Sequence, residues 1–279
     1  MIGLNSLDIA QWLALSAVLG VCVGSFLNVV AHRLPIMMER AWDAELAEIQ
    51  EREPEEHPRF NLLWPPSHCT ACKKRLHWWH NIPVISFILL RGRCAFCNST
   101  VSFRYPLIEL ACSALFVGVA WLNPPGWIAL GLMGFVSALL VLAVIDLDTY
   151  LLPDDITLPL LWAGLLFNLA TGHVALPNAV LGAALGYVVL WLIYKGFKLF
   201  TGKEGMGYGD FKLLAAMGAW LGVASLFDIV LLASISGVFF GLAIQTIRGK
   251  KKNEAFPFGP CLVFGGLAHM AGLQLANWI

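Results

Sequence analysis

The sequence predicts an all-α polytopic membrane protein, with about eight transmembrane helices and one soluble loop domain. Three observations carry that reading. Of 279 residues, 58% are hydrophobic and only 13% are charged, far from the balance of a water-soluble domain. Apolar runs of bilayer-crossing length recur along the chain. Finally, the basic residues fall in three blocks separated by connections that carry none.

The apolar runs are residues 9–31, 105–122, 127–145, 156–171, 177–199, 211–223, 226–247 and 258–277. Backbone polar groups in lipid must be satisfied within each segment, so these runs are expected to be helices. Residues 1–31 contain no Lys or Arg. A basic region ahead of the apolar stretch is therefore missing, and the first run reads as a retained span, not a cleaved signal.

Ten of the 18 Lys and Arg lie between Arg33 and Arg104. Four more, Lys195, Lys198, Lys203 and Lys212, surround the fifth-to-sixth connection, and Arg248, Lys250, Lys251 and Lys252 precede the last run. The connections around 123–126, 172–176 and 224–225 have no Lys or Arg. The positive-inside rule then places the basic side in the cytoplasm and both termini on the opposite face of the membrane. A net charge of zero, with no basic patch interleaved with aromatics, gives no sign of nucleic-acid binding.

The expected organisation is a first transmembrane helix (1–32), a cytoplasmic domain (33–104) and a seven-helix membrane domain (105–279). The cytoplasmic part opens with a charged Ala/Glu/Leu-rich stretch, Met37 to Glu56, which reads as a solvated helix on the membrane surface. Pro58, Pro65 and Pro66 interrupt it before a cysteine module.

That module is Cys69-Thr-Ala-Cys72, 21 intervening residues, then Cys94-Ala-Phe-Cys97. Two C-x2-C pairs at such a separation supply four thiolates to one tetrahedral zinc ion. A reducing cytoplasm favours metal over disulfides. Four protein ligands leave no open position, so the zinc is expected to be structural. Cys22, Cys112 and Cys261 lie in apolar runs and read as packing residues.

Carboxylates at the ends of apolar runs are the candidate reactive groups, because ionisable residues there are costly unless used. One set is Asp146 and Asp148, followed by Asp154 and Asp155 beyond Pro153; the other is Asp210, closing Gly205-Met206-Gly207-Tyr208-Gly209-Asp210. Asp154 and Asp155 read as first-turn acids that offset a helix dipole. Spacing alone leaves Asp146 and Asp148 unseparated, since residues two apart point in nearly opposite directions. Gly207 and Gly209 leave room for a peptide beside Asp210. Two aspartates in contact share one proton, and such a pair activates water against an amide. Proton or cation transport is a second use for the pair, although transport sites usually lie near the bilayer midplane between repeats, and no repeat is evident.

The chain resembles the bifunctional type IV prepilin peptidases. The resemblance rests on Gly24-Ser25-Phe26-Leu27-Asn28-Val29-Val30, Arg33-Leu34-Pro35, both cysteine pairs, Asn81-Ile82-Pro83 and Arg104-Tyr105-Pro106 with Glu109. It continues through Asp146 to Asp154, Gly205 to Lys212 and Pro257-Phe258-Gly259-Pro260. It implies that Asp146, in preference to Asp148, and Asp210 are the catalytic aspartates. The implied substrates are prepilins and pseudopilins, cut after a short basic leader and then N-methylated using S-adenosylmethionine. By the same resemblance Gly92 is linked to methyl transfer. Glu109 has two readings: a contact for the amine or methyl donor, or an ion-pair partner of Arg104. Asn28, polar within a span, reads as an interhelical hydrogen-bonding residue. A peptidase without methylation is the nearest alternative. Oligomeric state is not legible, and no Gly-x-Gly-x-x-Gly turn marks a nucleotide site.

Overall fold

The computed structural model describes residues 8–53, 55, 57–202, 206–248 and 256–273, with 244–248 described by backbone alone. Lys203, Gly205 and Lys250–Lys252, singled out in the sequence, lie outside the described residues. Nine α-helices are described: α1 (Ile9–Ile49), α2 (Ile85–Leu89), α3 (Arg104–Leu122), α4 (Trp127–Thr149), α5 (Asp154–Thr171), α6 (Leu176–Thr201), α7 (Tyr208–Leu221), α8 (Ser225–Arg248) and α9 (Gly259–Met270). Extended pairing among the described residues is confined to two isolated bridges, His68 with Arg75 and Arg93 with Thr100. The all-helical class is as the sequence predicts, and the chain is a multi-pass membrane protein.

Each of the eight apolar runs coincides with a helix. Five of these helices, α1, α3, α4, α6 and α8, are long and apolar enough to cross a membrane. The others are shorter. The 14 residues of α7 extend only about 21 Å, against roughly 30 Å of hydrocarbon.

One element differs from expectation. The charged stretch after residue 36 is no separate helix but the continuation of α1, which runs for 41 residues through Pro35, about 60 Å in all. Pro35 removes one backbone donor, yet the Ala, Glu, Met and Leu that follow favour helix strongly enough to continue it.

The fold divides into two compact units, Met1–Ser137 and Ala138–Ile279. In the first, α1 packs on α3 through small residues. A Cβ on Gly20 would lie 2.6 Å from the Ser113 backbone, and one on Gly24 would lie 2.7 Å from that of Glu109. This is the small-xxx-small device of membrane helices, where close backbone approach replaces the hydrophobic drive that lipid cannot provide. Polar contacts lock the register. Asn28 donates to the Tyr105 carbonyl at 3.1 Å, and the Ser113 hydroxyl donates to that of Ala17 at 3.0 Å. Asn28 thus acts between helices, as its sequence position suggests.

In the second unit α7 is the hub, packed against α5, α6, α8 and α9. Nearly every residue from Asp210 to Trp220 is buried. Gly182 of α6 meets the backbone of Gly218, and Gly186 meets that of Leu214, a second pair of glycines four apart. At the far end of α7, Asn168 donates to the carbonyls of Ala219 and Trp220, in the last turn where carbonyls have no partner within the helix. A buried Asp228–His269 contact of 2.8 Å joins α8 to α9.

Candidate active site

The second unit brings together two of the aspartates and separates off the others. Asp146 is one turn before the end of α4, and Asp210 lies in the first turn of α7. Both are buried, at 5% and 7% exposure. The two carboxylates lie within electrostatic reach of each other. Asp148 is exposed, as are Asp154 and Asp155. Asp154 instead accepts an ion pair from Lys212 at 2.7 Å. Burial therefore distinguishes Asp146 from Asp148 where spacing does not.

Each buried carboxylate is held by one glycine N–H. Gly207, at the start of α7, donates to Asp210 Oδ2 at 3.2 Å. Gly259, at the start of α9, donates to Asp146 Oδ2 at 2.9 Å. A backbone N–H at a helix N-terminus is a natural partner for a carboxylate. One oxygen of each aspartate is thereby fixed, leaving the other for a proton or a water.

Gly259 is the residue that sequence reasoning missed. A Cβ there would meet Asp146 Oδ2 at 2.7 Å, so the close contact requires glycine. The motif Pro257-Phe258-Gly259-Pro260 marks the position, but its contact with a residue 113 positions earlier is set by tertiary structure. Gly209 has a packing reason as well, since a Cβ there would lie 2.8 Å from Leu152. Gly207 has more space around it, its nearest such contact being 3.8 Å away. Tyr150, in the turn after α4, has φ 58°, a costly conformation for a residue with a side chain. No local sequence signal marks this position. Cys261, on the first turn of α9, lies within electrostatic reach of both aspartates.

The first unit holds the cysteines. All four Sγ atoms of Cys69, Cys72, Cys94 and Cys97 lie within 4.8 Å of one another, and Cys69 and Cys97 are 3.9 Å apart. Thiolates around one tetrahedral zinc are separated by about 3.8 Å, given Zn–S bonds of about 2.3 Å, so the cluster fits that ion. The two knuckles repeat one backbone design. Lys73 N–H donates to the Cys69 carbonyl at 2.9 Å, and Asn98 N–H donates to that of Cys94 at 3.0 Å. Lys73 and Asn98 both turn the chain with positive φ, 59° and 56°. The Cys69 thiol is pushed down to about 6 by the backbone N–H groups of Cys72 and Ala71 and by Ser99, so it is a ready thiolate at neutral pH.

Gly92 precedes the second knuckle with φ 67°. Its N–H donates to the Phe87 carbonyl, and its own carbonyl accepts from Val101. Glu109, on α3, is buried and accepts the Val84 N–H at 2.7 Å. Among the described residues it has no ion pair with Arg104 or any other cation.

Fold and site define a polytopic membrane protein with a paired-aspartate centre and a separate tetra-thiolate module. Two family models match the chain: the Bacterial Peptidase A24 N-terminal domain over residues 18–123, and the Type IV leader peptidase family over residues 133–242. A prepilin leader peptidase/N-methyltransferase of Aeromonas salmonicida (strain A449) is 48% identical over 273 residues, covering 96% of this chain and 94% of the relative. One of the same name from Burkholderia pseudomallei (strain 1026b) is 50% identical over 267 residues, covering 94% and 86%. One from Neisseria gonorrhoeae is 47% identical over 270 residues, covering 95% and 93%. The chain belongs to the type IV leader peptidase family. No solved structure matches it.

Proposed function

We propose that this protein cleaves the leader from type IV prepilins and pseudopilins with Asp146 and Asp210, and then N-methylates the new amino terminus. The observation that carries the proteolytic half is the buried aspartate pair, each member fixed through one oxygen by a glycine N–H. The ionised aspartate takes a proton from water while the protonated one polarises the scissile carbonyl. Near neighbours with like charge favour holding one proton between them. Asp154 and Asp155 have structural roles at the start of α5. Gly207, with space around it, is the better candidate to lie beside substrate, and Gly209 packs on Leu152.

In this reading the eight apolar helices are embedded in the bacterial inner membrane, the shorter α5, α7 and α9 packed among the five longer spans, with both termini periplasmic and the 33–104 domain cytoplasmic. A prepilin's basic leader then stays on the side where this chain's own basic residues lie. Zinc on the four cysteines holds the loop domain together and takes no part in bond making. S-adenosylmethionine, when bound, would supply the methyl group that the pilin amine gains in exchange for a proton. Glycine at position 92 supports that half by letting the chain turn into the second knuckle.

The test is to incubate the purified, reconstituted chain with one prepilin and labelled S-adenosylmethionine, and then to sequence the product's amino terminus. Cleavage at the leader junction with label on the new terminal residue is expected. An intact prepilin after prolonged incubation would overturn the proteolytic reading.

A further inference from the structure

The first unit contains a cavity of about 580 Å³, within the size range of small-molecule and cofactor sites. It is enclosed by α1, the start of α3 and the loop that carries the knuckles, with Gly92 and Cys94 in its wall. Three features show that it is built for a charged organic ligand. Glu109 lines it with 7% exposure and has no cationic partner among the described residues. A buried carboxylate without one is expensive unless a ligand supplies the charge. His80 also lines it, and its Nδ1 is buried without a hydrogen-bond partner. Finally, the lining combines the apolar Phe87 and Leu90 with Arg40, whose guanidinium lies over the Phe60 ring, so apolar, basic and acidic residues surround one space.

The setting of Glu109 is itself strained. Its oxygen holds the N–H of Val84, whose φ is 58°, a genuine outlier for a β-branched residue. Strain of this kind persists where surrounding structure over-determines it, often at ligand clamps.

We propose that this cavity binds S-adenosylmethionine, with the Glu109 carboxylate facing the sulfonium. The assignment rests on the methyltransferase reading above and goes beyond it by naming the site. Glu109 is the sixth residue of α3, the acidic group of the cavity closest to the membrane-spanning part of the unit. The methyl group must be presented at that end, because a pilin's new amino terminus leaves the cleavage step attached to a membrane helix. His80 and Arg40 lie on the loop and on the extension of α1, positions suited to the nucleoside and the amino-acid carboxylate.

The test measures binding of S-adenosylmethionine and S-adenosylhomocysteine to the full-length zinc-loaded chain by calorimetry. S-adenosylhomocysteine has no charge on sulfur. Glu109→Gln keeps an oxygen for Val84 and removes the charge. It is expected to weaken S-adenosylmethionine by about tenfold or more, the scale of a charge-assisted contact, and S-adenosylhomocysteine by less than about threefold. Equal losses for both ligands, or none, overturn the sulfonium assignment. Val29→Trp, which fills the cavity from α1, is expected to weaken both ligands by at least about tenfold. Ser86→Trp fills it from the loop and serves if α1 rejects the larger residue. Normal binding by both filled variants, in a wild-type background that methylates pilin, overturns the site and leaves the methyltransferase reading standing. A wild type that neither methylates nor binds either nucleoside overturns that reading instead.

Discussion

The two units solve the problem of holding polar chemistry in opposite ways. In the second unit Asp210 sits on α7, whose residues are almost all buried, Asp146 is buried near the end of α4, and one glycine N–H sets the orientation of each. In the first unit the stretch between α1 and α3 has almost no apolar core of its own: of its cysteines and hydrophobic residues only Cys94 is fully buried. Four thiolates, positive-φ turns and the Arg33 guanidinium, which donates to the carbonyls of Asn61 and Pro65, take the place of that core. Small units without sufficient core generally rely on such cross-links. Apolar packing therefore protects one site, and a four-cysteine cluster that fits a metal ion stands in for packing at the other.

Breaking each side separately sharpens that contrast. The largest effect is expected from Asp146→Asn and Asp210→Asn, each lowering prepilin cleavage by about 10³-fold or more; full cleavage by either variant in a membrane assay would end the two-aspartate mechanism. Gly259→Ala comes next. The added methyl displaces Asp146 without touching its charge, and cleavage should fall about 10²-fold while the chain remains folded by circular dichroism. On the other side, Cys72→Ser should release the metal, detected by elemental analysis, and lower methylation at least about tenfold. Cleavage in the same preparation should suffer far less, and an equal loss of both activities would erase the distinction between the units. The smallest effect is expected from Lys212→Ala. Its ion pair with Asp154 is partly exposed, so the stability change should be about 1 kcal/mol or less, read as a small shift in the thermal midpoint.

Much of this was legible in the sequence because the relevant signals are local. Apolar run length located eight helices, and C-x2-C spacing brought four cysteines to one point. Asp146 directly continues an apolar run, which makes it the deeper of the two neighbouring aspartates. The remainder depended on contacts between distant residues. Nothing near Asp146 announces that its partner is the N–H of Gly259, or that Gly209 is small because Leu152 packs on it. The charged stretch after residue 36 reads as a helix of its own, yet the propensities of its residues carry α1 on through Pro35. The cavity beside Glu109 is formed by α1, α3 and two knuckles together, and no single segment encodes its shape.

The bond from Gly259 to Asp146 also spans a long interval of synthesis. Asp146 is made early and Gly259 more than a hundred residues later, so a chain emerging from the ribosome carries an aspartate whose anchor has yet to be synthesised. Until α9 is made, the Asp146 carboxylate lacks the N–H that holds it.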